Sequence, residues 1–305
     1  MTTLASADST YEVRDSMKEV RDYFASHYLH DARVRCAVMV MSDRKSQMTD
    51  SFDVLVLVIT ERKEPINYIS HYIKHPLRIQ ERWIHKRGID SWILNGENRN
   101  IIQWLLEGAV LLDKDGYLDQ LRRKLLEFPD DLKEKKLFME FSFFLRKYIQ
   151  SKEYLQEGHS LDAYSSILEA LFHWARIVII DNGFHPEVTV WNQLRKIDPA
   201  VYKIYDELIH SNETLEQRVQ LVQLACEFSV MSRMKDCCKV LLKVLESRKE
   251  PWSASELKEH PELAELHIEL NLVLKKLAGK SLIREVAVPL KDSSSMQEVR
   301  YTYIP

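Results

Sequence analysis

The stretch MVMSDRKSQMTDSFDVLVLVI, Met39–Ile59, decides the fold of the N-terminal part of this chain. It leaves a Val-rich run, crosses a polar segment and enters a second apolar run that Asp53 opens. A continuous apolar run of about four to eight residues between polar segments is typical of a buried β-strand. The stretch therefore predicts two strands, Val34–Met41 and Val54–Ile59, with Asp53 at the start of the second.

The rest of the N-terminal part is predicted from the spacing of its apolar residues. Apolar residues three or four positions apart indicate amphipathic helices, and alternation indicates strands. The further elements predicted in this way are a helix over Glu12–His27, strands over Asn67–Lys74 and Leu77–Lys86 that turn at Pro76, a helix over Trp92–Leu106 and a short strand after Gly108 that Gly116 ends.

From Leu118 to Ser247 the pattern is helical almost throughout. Ser253 and Glu256 then form a capping-box pattern, which begins a further helix. The elements predicted for the last part are helices over Cys237–Glu246, from Ser253 and over Leu263–Leu277, followed by a wing of two strands over Ser281–Val288 and Glu298–Ile304.

The expected fold class is α+β and dominated by helices. A mixed-sheet domain is predicted for residues 1–118, an all-α domain for residues 119–235 and a small winged helix-turn-helix domain for residues 236–305. A length of 305 residues with 45% hydrophobic content fits two or three packed domains.

Composition narrows the expected setting of the protein. The net charge of −3 gives no general attraction to nucleic acid or to an anionic membrane. No apolar run in the sequence approaches the roughly 20 residues of a membrane span, and the N-terminus lacks the blocks of a signal peptide. The four cysteines show no metal-binding spacing, which favours reduced, buried thiols. A cytoplasmic protein without membrane contact is therefore expected.

The layout around Asp53 resembles the metal-binding core of DNA polymerase β-type nucleotidyltransferases. In that family a Gly-Ser pair ends one element, and an Asp-x-Asp pair opens a buried strand. Here Ser42 and Asp53 match, whereas Met41 stands in place of the glycine and Ser51 in place of the first aspartate. The resemblance implies a nucleotidyltransferase-like fold that binds nucleotide, and the two departures imply weak or absent transfer.

The departures matter because two Mg²⁺ ions, about 3.5–4 Å apart, clamp the attacking and leaving oxygens in such enzymes. Alternate strand residues share a face, so an Asp-x-Asp pair reaches one metal cluster, whereas Asp50 and Asp53 are three residues apart. A bulge or turn at Ser51–Phe52 would place the Asp50 carboxylate on the same side as that of Asp53, and the sequence does not decide between the two arrangements. The resemblance gives Asp53, Asp50 and Glu81 as metal ligands, with Asp90 as a second choice for Glu81.

The same resemblance gives Asp53 and Glu81 as catalytic residues and places four side chains at the nucleotide. These four expected nucleotide contacts are Ser42, Ser51, Arg78 and Arg82. The alternative is that the two arginines are solvated strand residues and that Asp53 caps a strand.

Over its whole length the chain resembles the bacterial nucleotidyltransferase-like (YgxA-type) family. The segments that carry this resemblance are DSFDVLVLVI, NRNIIQWLLEGAVLLDKDGYLDQLRRKLLEFP and EGHSLDAYSSILEALFHWARIVIIDNGFHPEVTVWNQLRKIDPAVYKIYDEL. The family implies a helical domain of substrate-binding type. In kanamycin nucleotidyltransferase-like enzymes a glutamate of this domain is a general base, and Glu140, Glu157 and Glu169 are candidates here. Glu169 is the first choice, because burial in its apolar helix would raise its pKa.

The last domain is electrically neutral, with 11 Lys or Arg and 11 Asp or Glu counted over residues 236–305. DNA affinity rests mainly on cations that meet phosphates. Three glutamates, Glu262, Glu265 and Glu269, fall in the first half of the predicted third helix, the half that enters the groove in such domains. The cationic residues at the end of the predicted helix and at the start of the wing are Lys275, Lys276, Lys280 and Arg284. A packing or protein-contact role is favoured, and DNA contact through the wing is the alternative.

The sequence is compatible with three functions. The first is a Mg²⁺-dependent nucleotidyltransferase with an unknown acceptor. The second is a protein that binds nucleoside triphosphate without transferring it. The third is a regulatory or interaction protein that acts on a protein or DNA partner through its winged domain.

Overall fold

The computed structural model describes residues 5–41, 49–61, 67–96, 98, 100–289 and 296–304, and describes side chains from residue 13 onward, except that of residue 67. The described chain divides into two compact units, residues 1–127 and residues 128–305. The predicted boundary between the middle and last domains falls inside the second unit and stays a prediction.

A five-stranded mixed sheet forms the centre of the first unit. The elements of this unit, in chain order, are α1 (Ala5–Leu29), β1 (Val34–Met41), β2 (Val54–Thr60), β3 (Asn67–Lys74), β4 (Leu77–His85), α2 (Lys86–Asn95), α3 (Ile101–Glu107), β5 (Ala109–Asp113) and α4 (Tyr117–Glu127). The strand order is β3-β4-β2-β1-β5. β2 runs parallel to β4 and antiparallel to β1, so both of its edges are paired.

β2 is buried along its whole length because both faces of the sheet are covered. Helix α1 packs on one face through Val20, Phe24 and Tyr28, which join a core with Val56 of β2 and Trp83 of β4. Helix α2 packs against β2 and β4, and α3 packs against β1. The run of alternating Val and Leu is thus explained by a strand that has no solvent-facing side.

The single helix predicted over Trp92–Leu106 is wrong: α2 and α3 are separate helices. Gly96 ends α2 in the left-handed conformation, with φ of 67°, and its N–H donates to the Trp92 carbonyl at 3.0 Å. Glycine adopts this conformation without the steric cost of a Cβ, which is why it so often ends helices.

Twelve elements are described in the second unit, most of them helices. In chain order they are α5 (Asp130–Gln156), α6 (Ser160–Asp181), α7 (Val190–Ile197), α8 (Pro199–His210), α9 (Leu215–Ser229), a 3₁₀ turn (Met231–Arg233), α10 (Met234–Cys237), α11 (Lys239–Glu246), α12 (Ala254–Glu259), α13 (Leu270–Gly279), β6 (Ile283–Pro289) and β7 (Gln297–Tyr303), with an isolated bridge between Trp252 and Tyr301. The long helices α5 and α6 pack along each other and form the core of this unit.

The buried side of α6 carries Ala163, Ile167 and Trp174, whereas Leu161 is exposed. By length and composition α6 is long and apolar enough to cross a membrane, contrary to the expectation from the sequence. In the described chain, 61% of its apolar window is buried inside the protein, as in a core helix.

The winged helix-turn-helix architecture predicted for the last domain is confirmed, with one helix start corrected. Ser253 caps α12 as expected: its Oγ accepts the Glu256 N–H at 3.1 Å, and Glu256 Oε2 accepts the Ser253 N–H at 2.7 Å. The third helix begins at Leu270, not at Leu263. The reason is a tertiary contact: the N–H of Glu269 donates to Ser142 Oγ of α5 at 2.7 Å.

This domain packs directly on α5. Lys135 Nζ of α5 lies 2.7 Å from a Glu262 carboxylate oxygen, and Arg146 pairs with Glu269 at 2.8 Å. All three glutamates expected to repel DNA from the third helix therefore precede that helix. Two of them, Glu262 and Glu269, are paired with cations of α5.

Candidate functional site

Asp53 lies at the start of β2 and is joined to β4 by two hydrogen bonds. Its backbone N–H donates to the Arg78 carbonyl oxygen at 2.9 Å, and its Oδ2 accepts the Arg78 N–H at 2.8 Å. The carboxylate therefore satisfies a backbone donor at the end of the parallel ladder between β2 and β4. This is the arrangement of a strand cap, the alternative reading of Asp53.

A tight turn over residues 49–52 precedes Asp53. The Phe52 N–H donates to the Thr49 carbonyl at 2.9 Å, and both central residues are left-handed, with φ of 49° at Asp50 and 70° at Ser51. A turn here is the alternative that the sequence offers for placing the Asp50 carboxylate beside Asp53. It directs the Asp50 carboxylate into an ion pair with the Arg82 guanidinium.

Glu81 is buried on the α1 face of the sheet, with 3% of its surface exposed. Both carboxylate oxygens accept hydrogen bonds from tyrosines, at 2.5 Å from Tyr28 Oη and at 3.0 Å from Tyr72 Oη. Burial, and then the bond to Glu81, raises the pKa of Tyr28 well above its ordinary value. The phenol hydroxyl of Tyr28 therefore stays protonated and remains a donor to Glu81.

The structure does not bring Asp53 and Glu81 together. Glu81 pairs with Val56 in the ladder, and Asp53 is bonded at Arg78, so three residues, or roughly 10 Å of strand, separate their rows. In the described part of the chain no group of three His, Cys, Asp or Glu side chains is placed to hold a metal ion. The expected set of Asp50, Asp53 and Glu81 does not fit a shared Mg²⁺ site, which needs several oxygens at one point.

Instead, the face of β4 opposite Glu81 carries a cluster of cations and rings. Arg82 Nε donates to Gln80 Oε1 at 2.6 Å, and the Gln80 amide lies 3.4 Å from His71 Nε2 of β3. The rings of His71 and Phe52 are 4.6 Å apart, and the Arg78 guanidinium lies 5.6 Å from the centre of the Phe52 ring. We call Phe52, His71, Arg78, Gln80 and Arg82 the arginine cluster.

Two of the four expected nucleotide contacts, Arg78 and Arg82, thus belong to one cluster. Ser51 lies in the left-handed turn beside it with an exposed side chain, and Ser42 lies outside the described residues. Met41, in the place of the family glycine, ends β1 opposite Val54 and is 55% exposed. Sequence reasoning missed Phe52, His71 and Gln80; the signal was alternation, which puts His71 and Gln80 opposite each other on one face.

The prediction that Glu169 is buried in α6 is wrong. Its side chain is 56% exposed and pairs with Lys147 Nζ at 2.7 Å, since position 169 lies outside the buried side of α6. Glu157, another candidate base, is also exposed. Glu140 of α5 is the buried member of the three candidates, and its Oε2 lies 2.8 Å from His173 Nδ1.

Comparison with known proteins gives the same order of domains. Three family models match, described as nucleotidyltransferase-like over residues 17–133, YgxA-like substrate binding domain over residues 134–233 and helix-turn-helix domain over residues 239–302. Fold and domain order together define a nucleotidyltransferase-like protein with a C-terminal helix-turn-helix.

The relatives define the family. The chain is 34% identical to the YgxA protein of Bacillus subtilis (strain 168) over 275 residues, which cover 90% of this chain and 93% of that protein. It is also similar to the crystal structure of a nucleotidyltransferase-like protein from Exiguobacterium sibiricum 255-15, with a TM-score of 0.83, 31% identity and coverage of 95% of this chain and 100% of that one. The chain belongs to the YgxA family of nucleotidyltransferase-like proteins.

Proposed function

We propose that the first unit binds a nucleoside triphosphate at the arginine cluster and does not transfer its nucleotidyl group. The observation that carries this proposal is the placement of the carboxylates. Asp53 is bonded to a backbone N–H, Asp50 to Arg82 and Glu81 to two tyrosines. Each carboxylate is thereby held by a donor of the protein, so none of the three stands open to a common metal ion.

The charge of the cluster supports phosphate binding in place of metal binding. Arg78 is exposed and makes no ion pair with the described residues, and Arg82 shares its charge with the half-exposed Asp50. A guanidinium offers several N–H donors in a planar fork that matches phosphate oxygens. The rings of Phe52 and His71, whose planes are tilted by 34°, lie beside Arg78 and offer aromatic surface for a nucleobase.

The test is thermal denaturation with ATP, CTP, GTP and UTP, each in excess Mg²⁺ and in EDTA, for the wild type and for Arg78→Met. A ligand at about a hundred times its dissociation constant stabilises the folded state by roughly 2.7 kcal/mol. We expect one nucleotide to raise the midpoint of the wild type in both buffers and the increase to be lost in Arg78→Met.

Arg123→Met is the matched control, since Arg123 is an exposed arginine of the same unit that pairs with Asp119 at 3.0 Å. Its midpoint should respond to nucleotide as the wild type does. No response of the wild type to any nucleotide would refute the proposal, as would an equal response in Arg78→Met.

A second candidate function is DNA contact through the wing, in place of a purely protein-binding role. It is favoured by the ion pairs that α5 makes with Glu262 and Glu269, because these pairs remove acidic charge from the surface of α13. Lys275 and Arg284 are exposed at the end of α13 and on β6, where they are free to face a phosphate backbone. Lys280 is exposed beside them and lies 3.9 Å from a Glu227 carboxylate oxygen.

Salt dependence of binding to a random duplex separates the two roles. Each lost phosphate contact should lower the slope of log K against log salt by about 0.9. We expect Lys275→Ala with Arg284→Ala to weaken binding and to flatten the slope, while Lys239→Ala on α11 changes neither. No binding at low salt would leave the protein-partner role as the function of this domain.

A further inference from the structure

A group of charged side chains lies between the two core helices of the second unit, away from the arginine cluster. Lys136 and Glu140 are four residues apart on α5, and His173 and Arg176 are three apart on α6. Glu140 joins the two helices: its Oε2 lies 2.8 Å from His173 Nδ1, and its Oε1 accepts from Arg176 Nε at 2.6 Å. We call these four residues the interhelical cluster.

The interhelical cluster contains more positive than negative charge. One carboxylate faces the ammonium of Lys136 and the guanidinium of Arg176, and His173 adds charge when it is protonated. Lys136 is only 4% exposed, and its Nζ makes no hydrogen bond with the described residues. Burial, and then repulsion from Arg176, lowers the pKa of Lys136 to about 8. Glu140 attracts the ammonium, but its oxygens are bonded to His173 and Arg176. Lys136 therefore has no hydrogen-bonded counter-ion among the described residues, and burial of such a charge is costly.

Glu140 leaves further donors of the cluster unused. It binds one nitrogen of each partner, so the terminal nitrogens of Arg176 are donors that make no hydrogen bond among the residues described. His173 Nε2 makes none there either, and it is a donor when the ring is protonated. The side chains of His173 and Arg176 are partly exposed, at 20% and 14%, so solvent reaches them. The carboxylate fixes the orientation of both groups, as an outer partner does for a binding residue.

Rings border the exposed side of this cluster. The Phe143 ring lies 5.4 Å from that of His173, and the Arg176 guanidinium lies 5.7 Å from the centre of Phe172. Phe172 in turn contacts Trp191 of α7, with ring centres 6.4 Å apart. A charged group bound here would therefore lie beside aromatic surface of the kind that holds the organic part of a ligand.

We propose that Lys136, His173 and Arg176 bind the phosphate group of a small molecule, with Glu140 as the positioning residue. A phosphate supplies acceptors for the unused donors and a hydrogen-bonded counter-charge for buried Lys136. This site lies in the second unit and does not depend on nucleotide binding at the arginine cluster.

The probes are inorganic phosphate, ribose 5-phosphate and adenosine 5′-monophosphate, titrated calorimetrically at pH 7 and constant ionic strength. All proteins are full-length and carry Arg78→Met, so that the arginine cluster does not compete. We expect Lys136→Met to weaken binding of every probe at least tenfold. Without ligand the variant should melt no lower than its parent, because it removes a buried charge that has no hydrogen-bonded counter-ion. Tighter binding of the monophosphate than of inorganic phosphate would show that the rings contact the base.

Lys147→Met is the matched control: Lys147 lies on the same helix and pairs with Glu169, and this variant should bind like its parent. His173→Gln is a second variant, which loses the imidazole ring that Glu140 orients and should also bind more weakly, so the proposal stays testable if Lys136→Met does not fold. Absence of binding by the parent protein overturns the proposal, and so does unchanged affinity in both cluster variants. Loss of nucleotide response in Arg78→Met has no bearing on either result.

Discussion

Asp53 is hydrogen-bonded to the backbone of Arg78 through its carboxylate, so substitution of this residue should change the stability of the folded protein. From the sequence alone, Asp53→Ala is expected to abolish Mg²⁺-dependent nucleotide binding and to leave the fold intact. The bond to Arg78 adds an expected loss of stability. We expect Asp53→Ala to lower the free energy of unfolding by about 1–2 kcal/mol, because the Arg78 N–H loses a charged acceptor. Urea denaturation of the purified protein measures the loss.

Asp53→Asn is the control for this change, since the amide oxygen still accepts the Arg78 N–H while the negative charge is gone. It should keep most of the lost stability. If Asp53→Ala is as stable as the wild type, the cap that we assign to Asp53 does not contribute to the fold.

Ser51 is held in the left-handed conformation, with φ of 70°. A left-handed non-glycine residue costs roughly 1–2 kcal/mol, and glycine avoids this cost but loses more backbone entropy in the folded state. Ser51→Gly should therefore raise the free energy of unfolding by about 0.5–1 kcal/mol, and Ser51→Ala should leave it nearly unchanged. A thermal midpoint that falls in Ser51→Gly would contradict the turn geometry.

Single residues show where the sequence sufficed and where it did not. The position of Asp53 at the start of a strand follows from the apolar run behind it. The roles of Glu81 and Arg82 do not, because they depend on which face of β4 meets α1. Neighbours in a strand point to opposite faces, and only the pairing of Val56 with Glu81 and the packing of Tyr28 decide between them.

At the scale of elements, the joint between α5 and α6 makes the second unit sensitive to acid. Burial alone raises the pKa of Glu140, but the charges of Arg176 and His173 outweigh it, and the net pKa lies below the ordinary 4.5. A carboxyl whose pKa is lowered on folding contributes stability above about pH 4.5 and loses it as the pH falls through the folded value.

We therefore expect the free energy of unfolding of the wild type to fall more steeply than that of Glu140→Gln between neutral pH and pH 3. Near neutral pH the variant should be the less stable of the two, because Arg176 loses its charged partner. Denaturation by urea at a series of pH values measures both differences. Parallel pH curves for the two proteins would show that Glu140 does not carry this dependence.

Elements with strong local signals were predicted closely from the sequence, and the errors have tertiary or capping causes. The strand over Val34–Met41 agrees with the structure because a run of Val and Met has no competing helical pattern. The break between α2 and α3 was missed although Gly96 marks it. The start of α13 was missed because a hydroxyl on α5, that of Ser142, fixes the N–H of Glu269, and no local pattern records such a contact.

At the scale of the whole molecule, the predicted class holds: an α+β, helix-dominated chain of the YgxA family with a nucleotidyltransferase-like fold and a C-terminal helix-turn-helix. The first unit keeps the sheet of that fold. Around the start of β2, however, arginines and aromatic rings lie together. The nearby carboxylates are bonded to donors of the protein itself. The second unit joins the helix-turn-helix to α5 through ion pairs and the Ser142 bond, so these helices form one packed body.

The central claim is that this fold binds nucleotide without transferring it, and one measurement addresses both halves. Equilibrium binding of the nucleotide that stabilises the protein is measured in Mg²⁺ and in EDTA, while the same samples are assayed for released pyrophosphate. We predict the same affinity in both buffers, loss of binding in Arg78→Met and no pyrophosphate. Binding that requires Mg²⁺ together with pyrophosphate release that Asp53→Asn abolishes would contradict the account and establish an active metal site.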